Sequence, residues 1–212
     1  MRAHTPGVAL CGLLAAALAL AGCTSIADPT KYYLLAPAAP AARPARPAAA
    51  DPGPAVGVGP VLVPGYLDRT QVVTRGGGDE VDVSMYHRWA EPLESGIAQG
   101  LASDLAARLG TERIVVFPWR GTAARIIDYQ VAVAVVRFDG TLGKEVTLDA
   151  RWRLVGKDGR EIALKRSTIT QPVSGAGYPP LVAAMNQALS GLGREIAAEI
   201  QAAAGKRAAG GS

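Results

Sequence analysis

The chain has 212 residues, 49% hydrophobic, only 5% aromatic and 19% charged, with a formal net charge of +4. Its basic and acidic residues are interspersed, which argues against a nucleic-acid-binding patch. Two cysteines and two histidines in the whole chain leave too few ligands for a Cys- or His-based metal site.

The chain opens on Met1-Arg2-Ala3-His4, followed by an apolar run from Val8 to Leu20 broken only by Cys11 and Gly12. That run falls short of the roughly 20 residues a membrane-spanning helix needs, and its charged start suits a secretory signal. It ends on Leu20-Ala21-Gly22-Cys23, which resembles the lipobox of bacterial lipoproteins, in which the cysteine is acylated and becomes the first mature residue. Residues 1–22 are thus expected to be a signal peptide, and Cys23 the lipid attachment point. Each buried methylene adds about 0.8 kcal/mol, so two or three acyl chains anchor far more firmly than one. Thr24 follows the cysteine where an Asp would favour retention in the inner membrane, so an outer-membrane anchor facing the periplasm is expected. Removal of the signal takes Arg2, His4 and Cys11 with it. The mature part then carries a net charge one below the whole chain's +4, with no free thiol and no disulfide.

Residues 23–31 read as a membrane-proximal tether, and Tyr32-Tyr33-Leu34-Leu35 as a short first strand. A nine-residue tether reaches only about 30 Å, so pairing of that strand would hold the body near the membrane. Residues 36–54 hold six prolines and nine alanines in 19 positions, the composition of an extended linker. A single domain is expected over 55–204. Its first strands are Val56–Pro64, Gln71–Arg75 and Glu80–His87, the last two joined by a Gly76-Gly77-Gly78-Asp79 turn. Glu91-Pro92 opens a helix in which Leu93, Ile97, Leu101, Leu105 and Leu109 form one apolar stripe, and Gly110 ends it. Gly96 and Gly100 on that helix leave room for a close neighbour.

Ile114–Phe117 reads as a buried strand and Tyr129–Phe138 as a central one, punctuated by Asp139-Gly140. From Lys144 to Val155 the residues alternate. Val146, Leu148, Ala150, Trp152 and Leu154 take one side, and Glu145, Thr147, Asp149, Arg151 and Arg153 the other. A Lys157-Asp158-Gly159 turn leads to Glu161–Thr170, completing an antiparallel meander whose polar face is either solvated or meets a partner. Tyr178-Pro179-Pro180 opens the last helix, with Val182, Met185, Leu189, Leu192, Ile196 and Ile200 as its seam. Such a seam suits a core helix on a sheet better than a coiled coil. Residues 205–212 read as a disordered tail. The fold class is therefore α/β: a mixed sheet with an antiparallel meander, packed by two long amphipathic helices.

No catalytic constellation emerges. Asp68, Asp79, Glu80, Asp82 and Glu91 sit at turns and strand ends, His87 stands beside Arg88, and no G-x-S-x-G elbow occurs. Gly57-x-Gly59 is followed by a strand and not by the helix a phosphate loop needs. No cofactor and no metal are expected. Two segments stand out for binding: Tyr66-Leu67-Asp68-Arg69 in a loop between strands, and Arg88-Trp89 just ahead of a helix. Tyr, Trp and Arg carry much interface energy, so these residues either meet a partner or plug the end of the core.

The same segments carry a family resemblance. A Tyr32-Tyr33-Leu34-Leu35 run soon after a lipobox comes first, then V-x-V-x-x-V-x-V-P-x-Y-L-D-R over Val56–Arg69. Arg88-Trp89-Ala90-Glu91-Pro92-Leu93 follows, and Phe138-Asp139-Gly140 precedes Val146-x-Leu148-x-Ala150-x-Trp152. This ordered set resembles the PqiC (YmbA) family across nearly the whole mature chain, with the Pro/Ala-rich insertion as a departure. The resemblance implies an auxiliary lipoprotein of an ABC-type transport system that works with an MCE-domain protein in intermembrane lipid transport. It implies an anticodon-binding-like or TolB N-terminal-like sandwich, no enzymatic activity, and a homo-oligomeric ring. Tyr66, Leu67, Asp68, Arg69, Arg88 and Trp89 fall on its motif positions. Two other readings stay open: a periplasmic carrier of lipid or small hydrophobes, which needs an internal apolar cavity, and an envelope hydrolase, which needs a cleft of convergent titratable groups.

Overall fold

The computed structural model describes residues 28–36 and 53–210. The signal peptide, Cys23 and all but the ends of the Pro/Ala-rich linker lie outside the described residues. Strand β1 (Lys31–Tyr33) precedes β2 (Val56–Leu62), β3 (Gln71–Arg75) and β4 (Val81–Trp89). Helix α1 (Leu93–Leu109), β5 (Ile114–Val116) and a short α2 (Thr122–Ile126) follow. The chain continues through β6 (Tyr129–Thr141), β7 (Glu145–Gly156), β8 (Glu161–Pro172) and α3 (Tyr178–Gly210).

The α/β class holds, and the strands divide between two sheets. A five-stranded sheet has the order β5-β2-β6-β7-β8 and a three-stranded one the order β1-β4-β3. In the large sheet β2 runs parallel to both β5 and β6, whereas β6, β7 and β8 form the antiparallel meander. In the small sheet β1 runs parallel to β4, and β3 antiparallel to it. β1 starts one residue earlier than the sequence suggests and ends at Tyr33. Leu35, just past it, is buried and packs over Gly96 of α1.

Alternation along β7 follows from its having one buried face. Val146, Leu148, Ala150, Trp152 and Leu154 are buried beneath α3, whose Leu181, Met185, Leu189, Leu192 and Ile196 meet them. The Trp152 indole is fully buried and its N–H donates to Ser167 Oγ at 2.8 Å, so the ring is inserted without an orphaned donor. Ile97, Leu101 and Leu105 bring α1 onto the same core. Each such fully buried aliphatic side chain contributes roughly 1.5–3 kcal/mol. Gly110 ends α1 in the left-handed conformation, φ 64°, its N–H returning to Ala106 O.

α3 runs well past residue 204, where the sequence reading placed the start of a disordered tail. Alanine is the strongest helix former, so Ala202-Ala203-Ala204 extends the helix. Ala203 is buried, and the Arg207 guanidinium lies 4.9 Å from the centre of the Tyr129 ring.

α1 and α3 interlock through a buried carboxylate. Asp104 accepts hydrogen bonds from Arg108 Nε at 2.5 Å and Ser190 Oγ at 2.8 Å, and Gly193 lies directly against it. A Cβ at Gly193 would run into the Asp104 carboxylate, which those donors pin in place. Helix propensity favours Gly193→Ala by up to about 1 kcal/mol, but overpacking costs about 1–3 kcal/mol. The clash wins, and the variant is expected to melt a few degrees below the parent. An unchanged or higher melting temperature would mean that α1 slides freely on α3.

Candidate functional site

The two motif segments read from the sequence meet on the small sheet. Trp89 N–H donates to Thr70 O at 2.6 Å, and Gln71 pairs with Arg88, so the Pro64–Thr70 loop and the end of β4 are neighbours. The loop is closed by Leu67 N–H on Pro64 O at 2.9 Å and Arg69 N–H on Leu67 O at 2.8 Å.

The six motif side chains do not act together. Leu67 and Trp89 are buried in the hydrophobic core, which matches the core-plug alternative of the two that the sequence left open. At the end of β4 Trp89 is buried while its neighbour Arg88 stays part-exposed. Tyr66 is half-buried against the core, and its hydroxyl donates to Asp139 Oδ2 at 2.7 Å. Asp68 and Arg69 are exposed, with no side-chain ion pair among the described residues. Arg88 is part-buried, and its Nε lacks a hydrogen-bond partner among the described residues.

The node that sequence reasoning missed is Asp139. It is no turn residue: β6 runs on to Thr141, and Asp139 is wholly buried where the two sheets meet. Arg75 of β3 donates through Nε at 3.1 Å and Nη2 at 3.0 Å, and Arg137 of β6 donates through Nε at 2.8 Å. Tyr66 supplies a fourth bond from the loop. The following Gly140 explains how β7 closes over this point. A Cβ there would lie 2.8 Å from Val146 Cα and would strike the carbonyl of Glu145. The signal that could have found the node is Arg137-x-Asp139, two charges on one face of a strand otherwise apolar.

Electrostatics make this cluster a clasp and not a proton-transfer site. Burial pushes the Asp139 carboxyl up, but the hydrogen bonds from Arg75, Tyr66 and Arg137 outweigh it and hold the group below the usual carboxylate range. Burial first, then the adjacent carboxylate, pushes the Tyr66 phenol up to about 12. At ordinary pH the phenol is therefore a neutral donor on a saturated carboxylate. Neither group has a free valence for acid–base work.

Two other features face outward. Between the pairs Gln71–Arg88 and Val73–Val83, β4 carries more residues than β3 and bulges, with His87 N–H closing on Ser84 Oγ at 3.0 Å. Met85 at the bulge is 71% exposed, and Tyr86, Val81, Val83, Tyr32 and Leu34 of the same sheet region are also exposed. On the far side, Pro60, Leu62, Ala98, Gln99, Phe117 and Pro118 line part of a half-open groove of about 420 Å³ between β2, β5 and α1. Among the described residues no group of three or more His, Cys, Asp and Glu is placed to hold a metal, and no helix is long and apolar enough to cross a membrane.

The structure is thus a two-sheet α/β body with a buried clasp and exposed apolar residues on its small sheet. A family model described as ABC-type transport auxiliary lipoprotein component matches residues 33–197, and the chain belongs to that family. No curated protein sequence matches it. The fold is similar to a crystal structure of a protein described only as uncharacterized, at TM-score 0.64 and 22% identity over 81% of this chain and 98% of that one. It is also similar to protein XCC0632 from Xanthomonas campestris, of the DUF330 family, at TM-score 0.60 and 20% identity over 79% of this chain and 93% of that one.

Proposed function

We propose that this chain is a docking adaptor: acyl chains on Cys23 hold it to the outer membrane, facing the periplasm, and its body seats an MCE-domain protein of an ABC-type lipid transport system. The work is positional and no bond is made or broken. The observation that carries this reading is the outer surface of the small sheet. Tyr32, Leu34, Val81, Val83, Met85 and Tyr86 are exposed on an element that the Asp139 clasp ties to the main sheet. Exposed apolar residues grouped on a rigid element are the usual mark of a binding surface. Tethering at the membrane raises the effective concentration of such a surface without any new contact. A ring of several copies presenting that surface together fits the same reading.

The carrier reading has less support, because the groove beside α1 is open on one side and does not enclose a ligand. The test is crosslinking in whole envelopes, detergent extraction and identification of what is captured, alongside mass spectrometry of the mature N-terminus. An acylated Cys23 and recovery of an MCE-domain protein are expected, with Met85→Asp reducing capture severalfold while the protein still melts normally. A mature N-terminus at Cys23 that carries no acyl group would sink the anchor. Capture unchanged by Met85→Asp would sink the surface.

A further inference from the structure

The outer face of the meander, opposite the helices, is the largest part of the molecule that the adaptor reading leaves unused. Register places its side chains. Ala134, Arg151 and Arg166 stand in one cross-strand row, and Ala132, Arg153 and Leu164 in the next. Both rows are open: Arg151, Arg153 and Arg166 are exposed, and Leu164 is 67% exposed. Other elements cover the flanks of this face but not its middle. Trp119 and Ile127 lie over Gly57 of β2, and at the other end Arg75 and Tyr66 reach across from the small sheet and its loop to Asp139.

The two central rows thus hold three arginines, one exposed leucine, small alanines and no carboxylate. Arg166 is engaged by Asp149 of the neighbouring row, at 2.5 and 2.8 Å, and Arg137 of that row by Asp139. Glu145 and Glu161 stand only at the strand ends. Arg151 and Arg153 make no hydrogen bond or ion pair among the described residues. Two unpaired guanidinium groups side by side, flanked by an exposed leucine and low alanines, form a flat cationic surface with an aliphatic edge.

We infer that this face lies against a bilayer surface bearing anionic phospholipid headgroups. The chemistry of a phosphate-rich interface matches it: guanidinium groups pair with phosphate oxygens, their aliphatic stems lie along apolar surface, and a leucine dips to the acyl boundary. An acidic protein would be expected to offer fixed partners for fixed arginines. Arg151 and Arg153 instead make no hydrogen bond or ion pair among the described residues, and only the field of Asp149 reaches Arg151, which suits a laterally fluid surface. The inference rests on the proposed anchor for its proximity: nine residues from Cys23 to Lys31 keep the body within about 30 Å of the membrane. The contact would set which way the apolar small sheet points.

The test uses the complete mature chain carrying Cys23→Ser, so that no acyl group contributes. Its sedimentation with phosphatidylethanolamine vesicles containing about 30% phosphatidylglycerol is measured against vesicles lacking the anionic lipid. Binding is expected only with the anionic lipid, and it should fall steeply as salt rises from about 50 to about 500 mM. The pair Arg151→Ala and Arg153→Ala should weaken it about thirtyfold, from about fivefold per lost cation. Arg194→Ala with Lys206→Ala, on exposed positions of α3 across the sheet, removes the same charge and should leave binding nearly intact. Equal weakening by the two pairs, salt-insensitive binding, or no anionic preference overturns the inference. So does vesicle binding that persists in the Arg151/Arg153 pair while that pair loses an acidic protein partner. Failure here leaves the acylation result untouched, and an unacylated Cys23 leaves this vesicle result untouched.

Discussion

Asp139→Asn should lower stability by about 2–4 kcal/mol, somewhat under the 3–5 kcal/mol typical of breaking a buried pair. The reduction has a cause: Arg75 and Arg137 keep 23% and 36% of their side chains exposed, so water partly solvates the charges left behind. Tyr66 keeps an acceptor in the new amide, but its bond loses the carboxylate's charge. With about 2–4 °C per kcal/mol for a body of this size, the melting temperature should drop on the order of 10 °C. The pH dependence carries the more specific signature. A carboxyl held below its unfolded value contributes stability that is fully present above that value. That contribution is lost as pH falls through the ordinary 3.8 toward the lower folded one. The parent should therefore lose melting temperature from about pH 5 downward, more steeply than Asp139→Asn. Asp149, also held low by Arg166, acts alike in both proteins and cancels in the comparison. Parallel acid limbs for parent and variant would mean that Asp139 is not the ionised centre of the clasp.

The parts of the fold that were legible in the sequence are those where one periodicity meets one buried face. Leu93, Ile97, Leu101, Leu105 and Leu109 are all buried as their spacing demands, and β7 alternates across its length. What stayed hidden depends on long-range pairing. Nothing local to the β3–β4 hairpin says that it leaves the main sheet and pairs through β4 with β1, because β1 lies far off in the sequence. Asp139-Gly140 reads as a turn because both residues favour turns. The strand persists because Arg75, from a different sheet, satisfies the carboxylate, and because a glycine there lets β7 come close. The end of α3 was hidden for the opposite reason: small residues resemble a tail until Tyr129 and the core give them something to pack on.

Trp89 is a residue for which the sequence left two roles open, and Trp89→Ala should cost about 3–5 kcal/mol. Flanked by Arg88 and followed by an exposed Ala90, it has the neighbourhood of a surface aromatic. Yet it is only 5% exposed, in the same buried cluster as Leu67 and Leu93. Its backbone is tied on two sides, by Thr70 O and by the β1 register at Tyr33, so the surroundings cannot collapse far into the space the indole leaves. That favours the upper half of the range, since the penalty grows with residual cavity volume. Asp68→Ala and Arg69→Ala, from the same pair of motifs but exposed and without an ion pair among the described residues, should stay within about 0.5 kcal/mol of the parent. Thermal or urea melts of the three variants separate two roles within one sequence signature. A Trp89→Ala protein that melts with the parent but no longer captures its partner would return the tryptophan to the interface. A large stability loss assigns Trp89 to holding the small sheet against α1, and leaves contact with a partner to the exposed residues around it.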